Sequence, residues 1–453
     1  MTKKLALLFL LFNLIINANA QHLLRRAFMG ASTINITDSV AQARKLNTKQ
    51  GLLLQKIFDN GSAIRLGLKQ GDIILYANEL QMTNRNSFLQ LIAKLKDGDA
   101  ISLKINRDGK ETMIKGKLMG ALPDKYEFAD VIYDEIAFEK GYLRNIIIKP
   151  KGKEKSPVVF FIQGYNCASI DNMGVDHPYE KVLIELVKNG IAVFKVEKPG
   201  MGDCMGTIAC EDIDFYKELK VFETAYQSIS KYNFLDTNNI FIFGHSMGGV
   251  IAPIMNRKPE ARGIAVYGTV TRTWLEYFIE MSRFQQIISG EDYKYNEQMF
   301  ANRLKFNYEF FINKKTPSQL VKDSTMAELL KTEWQYQAPD KILERNYKYW
   351  QQLQDVSMIN GWADYSGKVL SLWGESDFVA FSKTDHQWVA DIVNRYHPGN
   401  GKFVSVPKSD HAFTYNETLE DAAKNWTNRA YRLTHYNDAA SKLLLEWINS
   451  VKQ

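Results

Sequence analysis

The feature that most constrains this chain is an apolar segment that runs directly into a glycine-rich turn around a serine. Residues 240–243 read Ile-Phe-Ile-Phe, and residues 244–248 read Gly-His-Ser-Met-Gly. A Gly-x-Ser-x-Gly string arises by chance about 0.1–0.2 times in a chain of this length. Here it lies between an apolar strand and a helix start rich in small residues, which predicts a sharp strand-to-helix turn. Such a turn lifts the hydroxyl of Ser246 above the sheet, and the flanking glycines avoid collisions with the strand and the helix.

A serine hydroxyl is a poor nucleophile unless a base takes its proton and an acid orients the base. Around such a turn, the acid and then the histidine follow in chain order, each just after a strand. The apolar run at 369–373 leads into Gly-Glu-Ser-Asp, so Asp377 is the predicted acid, and Glu375 in the same loop is the alternative. The run at 403–406 leads to His411, the predicted base.

Negative charge that develops on a carbonyl oxygen needs two backbone N–H donors. The first comes from Met247, because it directly follows the serine. The second comes from the loop that follows the buried strand at 157–162. Residues 163–166 of this loop read Gln-Gly-Tyr-Asn, and Tyr165 is the predicted donor. The sequence therefore predicts a complete site for nucleophilic attack on an acyl group.

From about residue 130 to the C-terminus, strands alternate with helices, which is typical of a mainly parallel sheet. About a hundred aromatic-rich residues separate the strands near 263 and 369, and we expect them to form a helical lid. With its serine turn, this region resembles the α/β-hydrolase superfamily, in particular exported bacterial hydrolases of the dienelactone-hydrolase and prolyl-oligopeptidase types. The resemblance implies an α/β fold with a mainly parallel sheet and a helical cap insertion at about 271–365.

The region before residue 120 has short strands, one helix and many glycines. Its residues 61–74 follow the pattern G-S-x-x-x-x-G-L-x-x-G-D-x-I. This string resembles bacterial PDZ domains, which are small α+β domains that bind a peptide C-terminus as an added strand. The resemblance implies a carboxylate-binding loop at Gly51, Leu52 and Leu53. The groove would then lie between residues 53–58 and the helix that contains Phe88. A structural module with an unused groove is the alternative.

The first twenty residues have the three parts of a secretory signal peptide. Two lysines precede an apolar run at residues 5–16, and Ala-Asn-Ala at 18–20 forms a cleavage site. We expect an exported mature protein, periplasmic or extracellular, without a transmembrane segment after cleavage. The predicted organisation is a signal peptide at 1–20, a PDZ-like domain at 21–120 and an α/β-hydrolase domain at 121–453.

The charge and the cysteines narrow the possible ligands. The net charge of +6 is small and scattered, so no nucleic-acid partner is expected. The cysteine spacing does not suit a zinc site, and neither a metal nor a cofactor is expected. In the superfamily, a serine commonly follows the acidic residue of the turn at 197–203, and Cys204 takes that place here. The resemblance therefore implies that Cys204 is unpaired and that Cys167 and Cys210 form a disulfide.

Three functions fit these features. The first is an esterase whose Ser246 attacks a carboxylic ester to form an acyl-enzyme. The second is a serine peptidase that uses the same residues on short peptides, although a PDZ-like module rather than a β-propeller gate favours the esterase. The third is a peptide-binding module with an inactive hydrolase domain, which the complete set of candidate residues disfavours. A small ester or a short peptide is the expected substrate, and a peptide C-terminus is the expected ligand of the PDZ groove.

Overall fold

The computed structural model describes residues 22–43 and 50–453 of the 453-residue chain. The described residues form two compact units, which meet in the sequence between Ala121 and Leu122. The signal peptide expected at residues 1–20 lies outside the described residues. Within the described part, no helix combines the length and the apolar character that crossing a membrane requires.

The first unit is a small antiparallel sheet with short helices. Its strands span Ala31–Asn35 (β1), Leu52–Ile57 (β2), Ile73–Ala77 (β3), Leu80–Gln81 (β4), Ala100–Arg107 (β5) and Lys110–Lys117 (β6). Its described helices span Asp38–Ala43 (α1), Ser62–Arg65 (α2) and Arg85–Ala93 (α3). The sheet order is β1-β2-β3-β5-β6, with β4 beside β3. Phe88 and Ile92 of α3 pack on buried residues of the sheet such as Leu103, so this unit has a core of its own.

The predicted peptide groove along residues 53–58 is wrong, as is the predicted carboxylate loop at Gly51, Leu52 and Leu53. Strand β2 lies inside the sheet, because Leu52 and Leu53 pair with β1 on one side and with β3 on the other. An added peptide strand needs an unpaired edge, and β2 has none at these residues. The error arose because strand neighbours depend on long-range pairing, whereas the glycine-rich string reports only local turns.

The second unit is built on eight strands and has helices on both faces of the sheet. Its strands span Ala129–Phe138 (β7), Gly141–Pro150 (β8), Ser156–Ile162 (β9), Ala192–Val196 (β10), Leu235–His245 (β11), Gly263–Tyr267 (β12), Lys368–Gly374 (β15) and Gly401–Val406 (β16). The order is β16-β15-β12-β11-β9-β10-β8-β7. The strands from β16 to β10 run parallel, and β8 and β7 add an antiparallel hairpin at one edge. The predicted mainly parallel α/β-hydrolase sheet is confirmed.

Successive side chains of a strand point to opposite faces of the sheet. Both faces of this sheet therefore carry apolar side chains, and helices pack on both. The helices outside the insertion span Pro178–Lys188 (α4), Phe215–Gln227 (α5), Met247–Ile254 (α6), Lys383–Tyr396 (α13), Leu419–Asn425 (α14), Arg429–Thr434 (α15) and Ala439–Val451 (α16). On β9, Phe160 packs against Tyr226 of α5, with ring centroids 5.5 Å apart. Its neighbour Phe161 faces the other way and contacts Phe243 at 5.9 Å. Burying each such ring contributes roughly 1.5–3 kcal/mol to the free energy of unfolding.

The segment between β12 and β15 is mainly helical. Its helices span Trp274–Ile288 (α7), Tyr293–Phe311 (α8), Pro317–Leu320 (α9), Ser324–Thr332 (α10), Tyr347–Gln354 (α11) and Met358–Ala363 (α12). A short hairpin of Lys341–Ile342 (β13) and Arg345–Asn346 (β14) interrupts them. The aromatic residues of this segment pack on one another, as when Phe278 stacks on Trp334 at 4.7 Å. The segment therefore has an apolar interior that joins the main core.

Candidate active site

The serine turn joins β11 to α6, and its backbone is strained. Ser246 lies between the two elements with φ 55° and ψ −119°. Few residues other than glycine adopt a positive φ, and where they do, strain is often associated with function. A Cβ at Gly244 would lie 2.4 Å from the carbonyl oxygen of Gly248, and a Cβ at Gly248 would lie 2.0 Å from that of Ile162. Both glycines are thus required by close backbone approach, as the sequence predicted.

His411 and Asp377 form a buried pair at the ends of neighbouring strands. The Nδ1 atom of His411 lies 2.9 Å from Oδ2 of Asp377. A carboxylate accepts, so Nδ1 carries the proton, and Nε2 is left free of it in the neutral ring. The other carboxylate oxygen of Asp377 accepts from the backbone N–H groups of Val379 and Ala380, at 2.9 and 2.7 Å. Glu375, the alternative acid, is exposed to solvent.

The electrostatics of this pair favour an ionised Asp377. Burial alone raises the pKa of Asp377, but the positive charge and hydrogen bond of His411, with the backbone N–H of Ala380, outweigh burial and bring it below its ordinary value. A carboxylate that stays ionised can hold one tautomer of the imidazole and stabilise the imidazolium that forms when the ring takes up a proton.

Gly268 makes room for this pair, a role that the sequence reasoning missed. It follows β12 directly and has φ +63°. A Cβ at this position would lie 2.8 Å from Nδ1 of His411 and 3.0 Å from Oδ2 of Asp377. The signal in the sequence is a glycine at the carboxyl end of a buried strand, although nothing local identifies which side chains approach it.

The loop that carries His411 is held by its neighbour Asp410. One carboxylate oxygen of Asp410 accepts from the backbone N–H groups of Ala412 and Thr414, at 2.9 and 2.8 Å, and the other accepts from Asn416. Burial raises the pKa of Asp410 to about 6. Asp410 therefore caps the turn that carries His411.

His245 lines the site and contacts the loop that carries His411. Its Nε2 donates to the carbonyl oxygen of His411 at 2.8 Å. Burial, followed by the positive charge of His411, lowers the pKa of His245 to about 3. The ring is therefore neutral at ordinary pH, and its hydrogen bond fixes the backbone of the histidine loop.

The two residues predicted to supply the oxyanion donors line the same cavity as Ser246. Met247 is the first residue of α6, so its N–H is one of those that an α-helix leaves without an intrahelical acceptor. The loop with Tyr165 passes close by, since a Cβ at Gly164 would lie 3.6 Å from Oγ of Ser246. Within the described residues, the backbone N–H of Tyr165 has no protein acceptor. Both donors are thus available to a ligand.

A disulfide and a group of buried charged residues contact the loop that contains Tyr165. Cys167 and Cys210 form a disulfide, and Cys204 is buried outside it. Next to this disulfide, the side chains of Lys198, Glu218 and Arg345 are fully buried. The sequence reasoning did not single out these three charged residues.

Ser246, Met247, Tyr165 and His411 line one cavity of about 440 Å³, and Asp377 lies behind His411. The insertion supplies much of the remaining wall. Its aromatic lining residues are Trp274, Tyr277, Phe278, Trp334 and Trp350. Most of the lining is uncharged, and the charged side chains in it, Arg303 and Glu333, pair with each other at 2.8 Å. In the described part of the chain, no three His, Cys, Asp or Glu side chains are grouped to hold a metal ion.

Two family models match this chain, one within each unit. The model described as serine aminopeptidase, S33, matches residues 160–392, which is more than half of the chain. The chain belongs to the S33 family. It is therefore a serine hydrolase of the α/β-hydrolase type. The model described as PDZ domain matches residues 27–118, so the S33 hydrolase carries an N-terminal PDZ domain.

Curated relatives match the N-terminal part of the S33 hydrolase. A probable periplasmic serine endoprotease, DegP-like, from Pseudomonas savastanoi pv. phaseolicola is 33% identical over 107 residues, which are 23% of this chain and 22% of the relative. A protein of the same description from Rickettsia prowazekii is 24% identical over 212 residues, which are 46% of this chain and 39% of the relative. The chain thus spans between about a fifth and two fifths of these relatives.

Solved structures are similar to the S33 hydrolase at low identity. Est1E from Butyrivibrio proteoclasticus with bound ferulic acid is 17% identical with a TM-score of 0.44, over 70% of this chain and 99% of that chain. A thermostable carboxyl esterase from Bacillus coagulans in complex with glycerol is 16% identical with a TM-score of 0.42, over 71% of this chain and 99% of that chain.

Proposed function

We propose that this S33 hydrolase is an exported enzyme that cleaves carboxylic esters with Ser246 as nucleophile, His411 as base and Asp377 as the orienting acid. The observation that carries the proposal is the buried His411–Asp377 pair at 2.9 Å, whose histidine lines the same cavity as the strained Ser246. This proposal is favoured over an inactive hydrolase domain because Ser246 and His411 line one cavity and His411 contacts Asp377.

The first half of the reaction forms an acyl-enzyme. Nε2 of His411 takes the proton of Ser246 while Oγ bonds to the ester carbonyl carbon, whose π electrons move onto the oxygen. Met247 and Tyr165 donate their N–H groups to this oxyanion. The tetrahedral intermediate collapses, the ester C–O bond breaks, and the alcohol leaves with the proton from His411.

The second half returns the enzyme to its starting state. Water gives its proton to His411 while its oxygen bonds to the acyl carbon, and the same two N–H groups stabilise the second oxyanion. The bond to Oγ then breaks, and Ser246 recovers its proton from His411. The net reaction is ester plus water to acid plus alcohol, and no cofactor enters it.

The largely uncharged, aromatic cavity favours an apolar acyl or alcohol group. A second candidate is an aminopeptidase, because Arg303 is shared by Glu291 and Glu333, which leaves one net negative charge that could attract a substrate ammonium group. A comparison of kcat/KM for p-nitrophenyl esters with that for amino-acid p-nitroanilides decides between them. Faster turnover of p-nitroanilides, and its loss in Glu333→Gln, would favour the aminopeptidase.

Export is the second part of the proposal. It rests on the signal-peptide pattern, and the relatives that match the N-terminal region are described as periplasmic. Cleavage after Ala20 gives a mature protein that begins at Gln21. Mass spectrometry of protein from cell fractions tests this, and an intact N-terminus in a cytosolic fraction would contradict it.

We also propose that the PDZ domain binds a peptide C-terminus along β1 rather than β2. Strand β1 is the edge of the sheet, and α3 starts beside it, since the Arg85 N–H donates to Oδ1 of Asn35 at 2.7 Å. An exposed edge beside a helix is what an added strand requires. Fluorescence anisotropy with the full chain should show binding of a C-terminal peptide and weaker binding of its amide. Equal binding of both would refute carboxylate recognition.

The PDZ domain would act as a tether if the peptide that it binds belongs to the substrate. Tethering over a short linker raises the effective concentration of a substrate to roughly the millimolar range. Turnover of a small ester should then not change when the groove is saturated with peptide. A strong change would indicate regulation instead.

A further inference from the structure

Two buried cations bind the loop that contains Gly164 and Tyr165, beside Ser246. The ammonium of Lys198 donates to the carbonyl oxygen of Gly164 at 2.6 Å. The guanidinium of Arg345 donates to the carbonyl oxygen of Tyr165 at 2.9 Å. Both side chains have no exposed surface. Two consecutive carbonyl groups of the loop thus receive charged hydrogen bonds.

The geometry of the peptide group links these contacts to the cavity. The carbonyl of Gly164 and the N–H of Tyr165 are the two ends of one planar peptide, and in the trans form they point in opposite directions. A cation that fixes the carbonyl therefore fixes the direction of the N–H. The N–H of Tyr165 is the proposed second oxyanion donor, and Lys198 sits at the other end of that same peptide.

The charges of this group do not cancel. Glu218 lies 3.1 Å from Lys198 and pairs with Arg345, and it accepts a hydrogen bond from Tyr349 at 3.1 Å. Two cations and one carboxylate leave one net positive charge behind the loop. In a buried site, a charged donor on the carbonyl polarises the peptide and strengthens its N–H as a donor.

We propose that Lys198 and Arg345 are positioning residues of the hydrolase, which orient and polarise the loop peptides that stabilise the oxyanion. The inference rests on the proposed function, because it assigns them a role only in the reaction at Ser246. Arg345 lies on β14 within the helical insertion, whereas Lys198 follows β10 of the sheet. The insertion thus contributes to the oxyanion loop as well as to the wall of the cavity.

A pH dependence follows from this arrangement. Burial lowers the pKa of Lys198 to about 8, since the carboxylate of Glu218 only partly offsets the effects of burial and of Arg345. The groups that face Lys198 are Glu218 of α5, Arg345 of β14 and the Tyr349 hydroxyl of α11 behind Glu218. The rate at Ser246 should therefore fall as the pH rises through about 8, because the loop loses the charge of the ammonium.

The test measures the second-order rate constant for modification of Ser246 by a fluorophosphonate probe. In Lys198→Met, which has a similar length and no charge, the rate constant should fall by about 10- to 100-fold. The fall above pH 8 should also disappear. In Glu218→Gln, the fall should move to lower pH, since the group that raises the pKa of Lys198 is gone.

Lys195→Met is the matched control. Lys195 is another fully buried lysine, but it pairs with Glu180 and donates to the carbonyl of Ile170 rather than to that of Gly164 or Tyr165. Its loss should cost stability without changing the rate constant at Ser246. An equal loss of rate in Lys195→Met and Lys198→Met would overturn the proposal.

The remaining outcomes are also decisive. If the wild type is not modified at Ser246, the proposed function itself fails. If it is modified and Lys198→Met reacts at the wild-type rate, the function stands and the positioning role is refuted. If Lys198→Met does not fold, the wild-type profile decides: a rate that falls through about pH 8 supports the role, and a flat profile overturns it.

Discussion

Gly268→Ala adds one methyl group next to the pair that we propose orients the base. The added Cβ would lie 2.8 Å from Nδ1 and 2.9 Å from Cε1 of His411, and 3.0 Å from Oδ2 of Asp377. Ordinary contacts between such carbon atoms and their neighbours are about 3.5–4.0 Å. The ring of His411 or the carboxylate of Asp377 must therefore move by several tenths of an ångström.

A displacement of His411 or Asp377 should lower the rate of the reaction at Ser246. A misplacement of about 1 Å at a catalytic group can cost on the order of 100-fold in rate. We therefore expect kcat/KM for a p-nitrophenyl ester to fall by roughly 10- to 100-fold in Gly268→Ala, which is about 1.4–2.7 kcal/mol of transition-state stabilisation. Because Gly268 has φ +63°, an alanine there also costs about 1–2 kcal/mol of folding stability.

Gly152→Ala separates the two effects. Gly152 has φ +76°, and a Cβ there would meet nothing within 4 Å. This variant should lose similar stability in a thermal unfolding experiment and keep wild-type kcat/KM. If Gly268→Ala also kept wild-type kcat/KM, the pair would not occupy the position from which we derive its role.

Three further predictions concern the acid, the histidine loop and the disulfide. Asp377→Asn should lower kcat by about 10⁴-fold because it presents the wrong imidazole tautomer, whereas Glu375→Gln should change kcat little because Glu375 is exposed; the reverse order in ester kinetics would reassign the acid. Since burial raises the pKa of Asp410 to about 6, its contribution to stability is lost as the pH rises from about 4 to 6. Urea unfolding should therefore show Asp410→Asn gaining about 2–3 kcal/mol over the wild type across that range, and a constant difference would refute this. Non-reducing peptide mapping should find Cys167 joined to Cys210, and any other linkage would contradict the structure.

The features that the sequence predicted well are those written in short segments. The serine turn needs an apolar strand, two close glycines and a helix start, and all of these lie within residues 240–252. Asp377 and His411 each follow an apolar strand, and parallel strands bring their carboxyl ends to one edge of a sheet. Local pattern and sheet topology were therefore sufficient to bring these residues together.

The features that were missed depend on contacts between distant segments. Arg345 and Tyr165 are 180 positions apart, and nothing near either residue indicates their hydrogen bond. Gly268 is needed because of two side chains from other loops. The peptide groove expected at β2 is wrong because local turn signals do not tell which strand lies at the edge of a sheet. Buried polar contacts and the order of strands in a sheet can therefore be identified only once the fold is known.

The most direct test of the proposed function is the site of modification by a fluorophosphonate probe. The full chain is incubated with the probe and digested, and its peptides are analysed by mass spectrometry. We predict that the added mass lies on Ser246 in the wild type and that Ser246→Ala remains unlabelled while keeping its fold by circular dichroism. Equal labelling of Ser246→Ala, or labelling of a different residue in the wild type, would contradict the assignment of Ser246 as the nucleophile.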